Sequence, residues 1–218
     1  MSDNTRVARN ATPSTPRTRL PAPQRRALIV AAALAEFAQR GYEAASIGRI
    51  AEAAGVSRTV LYDHFPSKHA LFAELLRAQH AELLAHLRAT IATQAPMRER
   101  IEATFDAFFA FAEHEPLAWR LLFPDHPPSD PVVAADHLRA RAESNRLLAQ
   151  LLAPDARRAG LDPRSPRGRA FFAMHQEALH GAVRWWHAHP QTSRAELVRA
   201  AMAALWDGLG GLSSARRP

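Results

Sequence analysis

The sequence SIGRIAEAAGVSRTVLYDHFPSK occupies residues 46–68, and it reads as two short helical segments joined by a tight turn. Ser46 is a suitable N-cap for the first segment, Ile47–Ala54, although its third helical position is Arg49, so the reciprocal Glu or Gln of a capping box is missing. Gly55 ends that segment. Ser57 caps the second, Arg58–Phe65, Pro66 breaks it, and Ser67 caps a further helix beginning at Lys68. Two capped helices, a glycine turn and polar and basic side chains gathered on the second helix are the layout of a helix-turn-helix.

A helix-turn-helix presents its second helix to the major groove of DNA. At about 100° per residue, Val56, Leu61 and Phe65 can face inward while Arg58, Thr59, Val60, Tyr62 and His64 lie outside or at the flanks. Arg58, near the helix N-terminus, can donate two bonds to guanine O6 and N7. Thr59 and Val60 carry methyl groups that suit a thymine methyl, and Tyr62 and His64 can donate to phosphates. Lys68 is the only lysine in the chain and sits just inside a helix N-terminus, where the macrodipole disfavours a cation. A phosphate docked there would be held by the free amides and the ammonium together. Ser46 can serve both as cap and as phosphate donor. The plainer alternative for each residue is a solvated face of an amphipathic helix.

Gln24–Arg40 precedes this unit, with Ile29, Ala33 and Phe37 at helical spacing and Gly41 as the stop. Residues 1–23 hold four prolines, four arginines and no apolar periodicity, and are expected to be a disordered basic arm. Downstream, the pattern predicts helices over 68–92, 97–113, 116–123, 132–153, 167–188 and 193–209, with loops at 124–131 and 154–166. No segment alternates as a strand, so the expected class is all-α.

Composition bounds the function. The 218 residues are 47% apolar and 22% charged, ordinary for a globular chain, with no run able to span a bilayer and no apolar core of a signal peptide. A cytoplasmic protein without membrane association is expected. There is no cysteine, which excludes disulfides, thiolate metal sites and a Cys nucleophile. The net charge is +7, of which residues 1–70 carry +5, the side expected to meet a polyanion.

Residues 24–75 resemble the DNA-binding domain of the tetracycline-repressor (TetR) family of bacterial regulators, through RRALIVAAALAEFAQRGYEAASIGRIAEAAGVSRTVLYDHFPSKHAL. The resemblance implies DNA contact by Ser46, Ser57, Arg58, Thr59, Val60, Tyr62, His64 and Lys68. Gly48 stands where many members carry a longer side chain, which reduces base reading from the first helix of the motif. His69 replaces a common acidic residue and adds a potential cation near phosphate. The expected organisation is the basic arm at 1–23, a DNA-binding domain at 24–70, a helical regulatory and dimerisation domain at 71–212 and a tail at 213–218.

In that second domain the last two long helices fall where the family builds a four-helix dimer interface. Phe171, Leu179, Val183 and Trp186, with Leu197, Ala201, Leu205 and Leu209, recur near helical spacing and are the expected interface. Phe105, Phe108, Phe109, Trp119, Leu122 and Phe123 are expected to line an apolar cavity, with His137, Asn145, His175 and Gln176 as the polar groups that orient a small, partly apolar effector. The function implied is a ligand-responsive repressor that binds a palindromic double-stranded operator as a homodimer. An activator of the same fold and a non-specific architectural DNA binder are the alternatives. An enzyme is not expected: the eleven histidines include no pair at i, i+4 and no HExxH, and there is no GxSxG elbow, P-loop or dinucleotide glycine motif. No cofactor or metal site is expected.

Overall fold

The computed structural model describes residues 21–208. The expected arm before residue 21, the tail and Leu209 lie outside the described residues. Among the described residues the chain is helical, without a strand. The helices are α1 (Ala22–Ala44), α2 (Ile47–Ala53), α3 (Arg58–His64), α4 (Lys68–Ile91), α5 (Met97–His114), α6 (Pro116–Leu122), α7 (Pro131–Arg158), α8 (Pro166–His187) and α9 (Arg194–Ala201), followed by a π-helical turn at Met202–Trp206.

Helices α1–α3 form a small unit whose centre is Ile29, Ala33, Phe37, Ile50, Leu61 and Phe65, all buried. α1 breaks at Gly41, which takes φ 73°, a conformation that glycine adopts without a Cβ penalty. α1 starts at Ala22, so the expected arm boundary at residue 23 falls inside it.

The long α4 begins in this unit and continues as the spine of the body, packing on α1, α5, α6 and α7. Its buried stripe is Leu71, Phe72, Leu75, Leu76, His80, Leu83 and Leu87. α5 lies on α4 and α9, and α6 bridges back to α1.

Two expectations about helix ends fail. α7 does not stop at Ala153 but runs through Pro154 to Arg158. The extra turn is anchored by Asp155, a buried carboxylate that pairs with Arg100 at 2.5 Å and Arg158 at 2.9 Å. The last helix loses its α geometry after Ala201, and the wider turn closes with the Asp207 amide donating to the Met202 carbonyl at 3.1 Å.

Candidate nucleic-acid interface and apolar cavity

The turn between α2 and α3 contains Gly55 at φ 66°, and the Val56 amide donates back to the Ala51 carbonyl at 2.9 Å. Leu61 and Phe65 anchor α3 from below, each at most 1% exposed. Ser57, Arg58, Thr59 and Tyr62 stand exposed on the outer face, with Val60, His64, Lys68 and Ser46 half-buried at its edges. Ser57 Oγ accepts from the Val60 amide at 3.2 Å and Ser67 Oγ from the Ala70 amide at 3.0 Å, so both expected caps form.

Ser46 differs. Its side chain makes no cap, and its backbone amide donates instead to Glu36 Oε1 of α1 at 2.9 Å. Glu36 thus takes the role of the missing capping-box acid from a distant position in sequence. Burial alone raises the Glu36 pKa, but the Arg49 bond, the Ser46 amide and the charges of Arg49 and Arg40 outweigh it and hold the carboxyl below its ordinary value.

Three further details refine the face. Arg58 lies across Gly48: a Cβ built there would stand 3.0 Å from Cζ of the guanidinium and 3.1 Å from Nε. The missing side chain on α2 is therefore room for the arginine on α3. The Lys68 ammonium donates to the Glu43 carbonyl at 3.1 Å and sits 4.5 Å from the Tyr42 ring centre, leaving donors for a phosphate. Burial lowers its pKa, with the Glu43 and Glu36 charges opposing. His69 does not join the face as a cation near phosphate; its Nε2 meets Asp136 Oδ2 of α7 at 2.8 Å. Beside it, Glu43 Oε1 accepts from the Ser129 amide and hydroxyl and from the Asp130 amide at the start of α7. These contacts tie the small helical unit to α7.

A cavity of about 180 Å³ lies between α4, α5, α7 and α8. Of the expected lining residues, Phe105, Phe108, Phe123, Asn145, His175 and Gln176 border it. Phe109, Trp119 and Leu122 do not; they are buried core behind its wall, Phe109 turned toward Trp186 and Trp119 packed on Phe108 and Phe123. His137 lies elsewhere, in a smaller recess with Tyr42 and Glu43, its Nε2 3.2 Å from the Leu121 carbonyl.

Sequence reasoning missed His80 and His180, which both border the cavity and are both buried. Burial is the main cause that drives their pKa values down, to about 4 and about 3, with Arg141 adding to both. The signal was available: His80 interrupts the apolar series Leu76, Leu83, Leu87 on one side of α4.

The expected interface residues also need correction. Val183, Trp186, Leu197 and Ala201 are buried in the chain's own core and Leu179 and Leu205 are half-buried, so of the described set only Phe171 faces out. An i, i+4 series drifts by about 40° per step around a helix, and here it passes from the outer to the inner side of α8. The outward stripe of α8 is Phe171, Met174, Ala178, Gly181 and Trp185, with Met174 64% and Trp185 49% exposed.

The structure thus joins a helix-turn-helix with an exposed outer face to a helical body that holds an apolar cavity. The model of the bacterial regulatory proteins, tetR family, matches residues 29–75, the segment that holds most of α1, all of α2 and α3 and the start of α4. The HTH-type transcriptional activator FasR of Mycolicibacterium smegmatis is 40% identical over 117 residues, covering 54% of this chain and 53% of that protein. The HTH-type transcriptional repressor KstR2 of Mycobacterium tuberculosis is 38% identical over 90 residues, 41% of this chain and 45% of that protein. The chain thus spans about half the length of the curated relatives it matches. The structure of the transcriptional regulator FadR from Bacillus subtilis, in complex with stearoyl-CoA, superposes with a TM-score of 0.69 at 17% identity, covering 85% of this chain and 98% of that one. At that identity the likeness is one of fold.

Proposed function

We propose that this chain is a sequence-specific transcriptional regulator that binds an inverted-repeat operator as a homodimer and responds to a small, partly apolar effector held in the cavity. The observation that carries the reading is the outward display of Ser57, Arg58, Thr59 and Tyr62 on α3 above the buried anchors Leu61 and Phe65. One short helix reads few base pairs, so a two-fold dimer on two half-sites is the usual solution. The outward stripe of α8 suits the dimer contact, since Ala178 and Gly181 between Phe171, Met174 and Trp185 let a second helix approach closely. Its work would be in the cytoplasm, and no helix among the described residues is long and apolar enough to cross a membrane.

The cavity is linked to the reading face through α4, which borders it and begins at Lys68, and through α7, which the Glu43 and His69 contacts hold. An effector that prefers one spacing of the two reading heads shifts operator affinity by its differential binding to the two states. Repression is the simplest outcome of such binding at a promoter. Activation is the second reading, favoured by the 40% match to FasR.

Arg58→Ala tests the assignment. It is expected to relax preference at one base pair in each half-site, at a cost of about 1–3 kcal/mol, with the other positions unchanged. Unaltered preference would remove Arg58 from the reading set.

A further inference from the structure

The cavity wall holds one histidine that no group among the described residues satisfies. His80, in the middle of α4, is 5% exposed, and both Nδ1 and Nε2 are buried without a hydrogen-bond partner. His180 of α8 borders the same space, and the Phe123 ring neighbours both, 6.4 Å from His80 and 4.2 Å from His180, centre to centre. His180 Nδ1 accepts from Arg141 Nη2 at 2.9 Å, so its neutral ring carries the proton on Nε2.

We propose that the cavity takes a small apolar molecule, about one substituted ring in size, ending in a single uncharged hydroxyl, which His80 and His180 receive. This rests on the reading of the cavity as an effector site.

Size comes from the volume. About 180 Å³ compares with roughly 150 Å³ for a dry engineered cavity in another protein that binds benzene. The body of the ligand is set by Leu83, Leu87, Ile101, Phe105 and Phe108, an apolar wall that offers only packing. The head is set by charge and by hydrogen-bond type. The wall carries no unpaired ion: Asp155 is held by Arg100 and Arg158, and Arg141 is ion-paired with Glu177. Burial keeps both imidazoles neutral. A carboxylate or ammonium would therefore enter without a counter-ion, whereas a hydroxyl can accept from His180 Nε2–H and donate to the unprotonated nitrogen of His80. The two-fold torsion of an imidazole lets His80 turn a nitrogen toward the cavity. His175 is not the receiving group, because its ring nitrogens already face the Phe171 and Leu205 carbonyls.

Calorimetric titration of the full chain with 4-ethylphenol, ethylbenzene and 4-ethylbenzoate tests the assignment. The phenol is expected to bind about tenfold more tightly than ethylbenzene, because it satisfies a buried group otherwise left unpaired, and the benzoate more weakly than the phenol. His80→Leu is expected to abolish the preference for the phenol while ethylbenzene still binds. In the unsubstituted protein the His80 ring nitrogens are expected to shift by NMR on adding the phenol, which keeps the test independent of the variant's folding. Equal binding of phenol and ethylbenzene, tighter binding of the benzoate, a preference that survives His80→Leu, or no binding of any probe overturns the proposal. Operator affinity measured in the same samples separates the two readings. His80-dependent phenol binding that leaves operator affinity unchanged refutes the effector role and leaves the ligand assignment standing.

Discussion

Replacing Gly48 by alanine is expected to make the protein more stable and a poorer reader of DNA. The added Cβ would stand 3.0 Å from Arg58 Cζ and 3.1 Å from Nε, where ordinary contact between such atoms is about 3.5–4.0 Å. Nη2 stands closer still, so the guanidinium must retreat by about 1–1.5 Å. Arg58 is exposed and flexible, so the retreat costs little folding energy, while an alanine inside α2 gains about 1 kcal/mol of helix propensity over glycine. For a chain of this size that corresponds to a rise in Tm of about 2–4 °C. A bidentate arginine–guanine pair contributes about 1–3 kcal/mol of discrimination, and a shifted guanidinium forfeits much of it. Binding to a panel of single-base operator variants, with melting curves on the same samples, reads both effects. A more stable Gly48→Ala protein with unchanged base preference would refute the idea that Gly48 positions Arg58, and a less stable one would refute the packing argument.

Other outcomes follow from the same geometry. Lys68→Ala should weaken binding to all DNA sequences and lower the salt slope by about 1, as filter binding across salt concentrations would show. Arg100→Met should cost about 3–5 kcal/mol in urea unfolding, because it removes a partner of the buried Asp155, and adding Asp155→Leu should recover most of the loss. Stability should also depend on pH through His80 and His180, whose folded-state pKa values lie below the unfolded one. The unfolded chain takes up protons first, so stability is full above about pH 6.5 and falls as the pH drops toward about 4 and about 3, by at most roughly 1.4 kcal/mol per pH unit for each histidine. Urea curves between pH 7 and pH 4.5 check this: His80→Leu should flatten the slope, and an unchanged slope counts against it.

The reading unit was legible because its signals are local. Ser57, Gly55, Ser67 and Pro66 mark the ends of α2, α3 and the start of α4 with turn and cap chemistry that acts within four residues. What escaped were features set by distant partners. The acid that completes the α2 start is Glu36, ten residues before Ser46. The turn that carries α7 past Pro154 depends on Arg100 from another helix. His69 reaches Asp136, sixty-seven residues away. The cavity shows the same division: Phe105, Phe108, Phe123 and His175 line it, but periodicity cannot tell a wall facing empty space from one facing another side chain, and Phe109, Trp119 and Leu122 share the pattern while lying in the core. On α8 a four-residue spacing mixed the inward and outward sides, and the outward stripe emerges only once Val183 and Trp186 are seen to be buried.

This chain is expected to read DNA sequence as a symmetric dimer. Selection of bound sequences from random duplex DNA, with the purified protein at physiological salt, tests it most directly. The expected product is an inverted repeat whose half-sites are centred about one helical turn apart, or a multiple of it. Recovery of DNA without a motif, or of a single unpaired half-site, would contradict it.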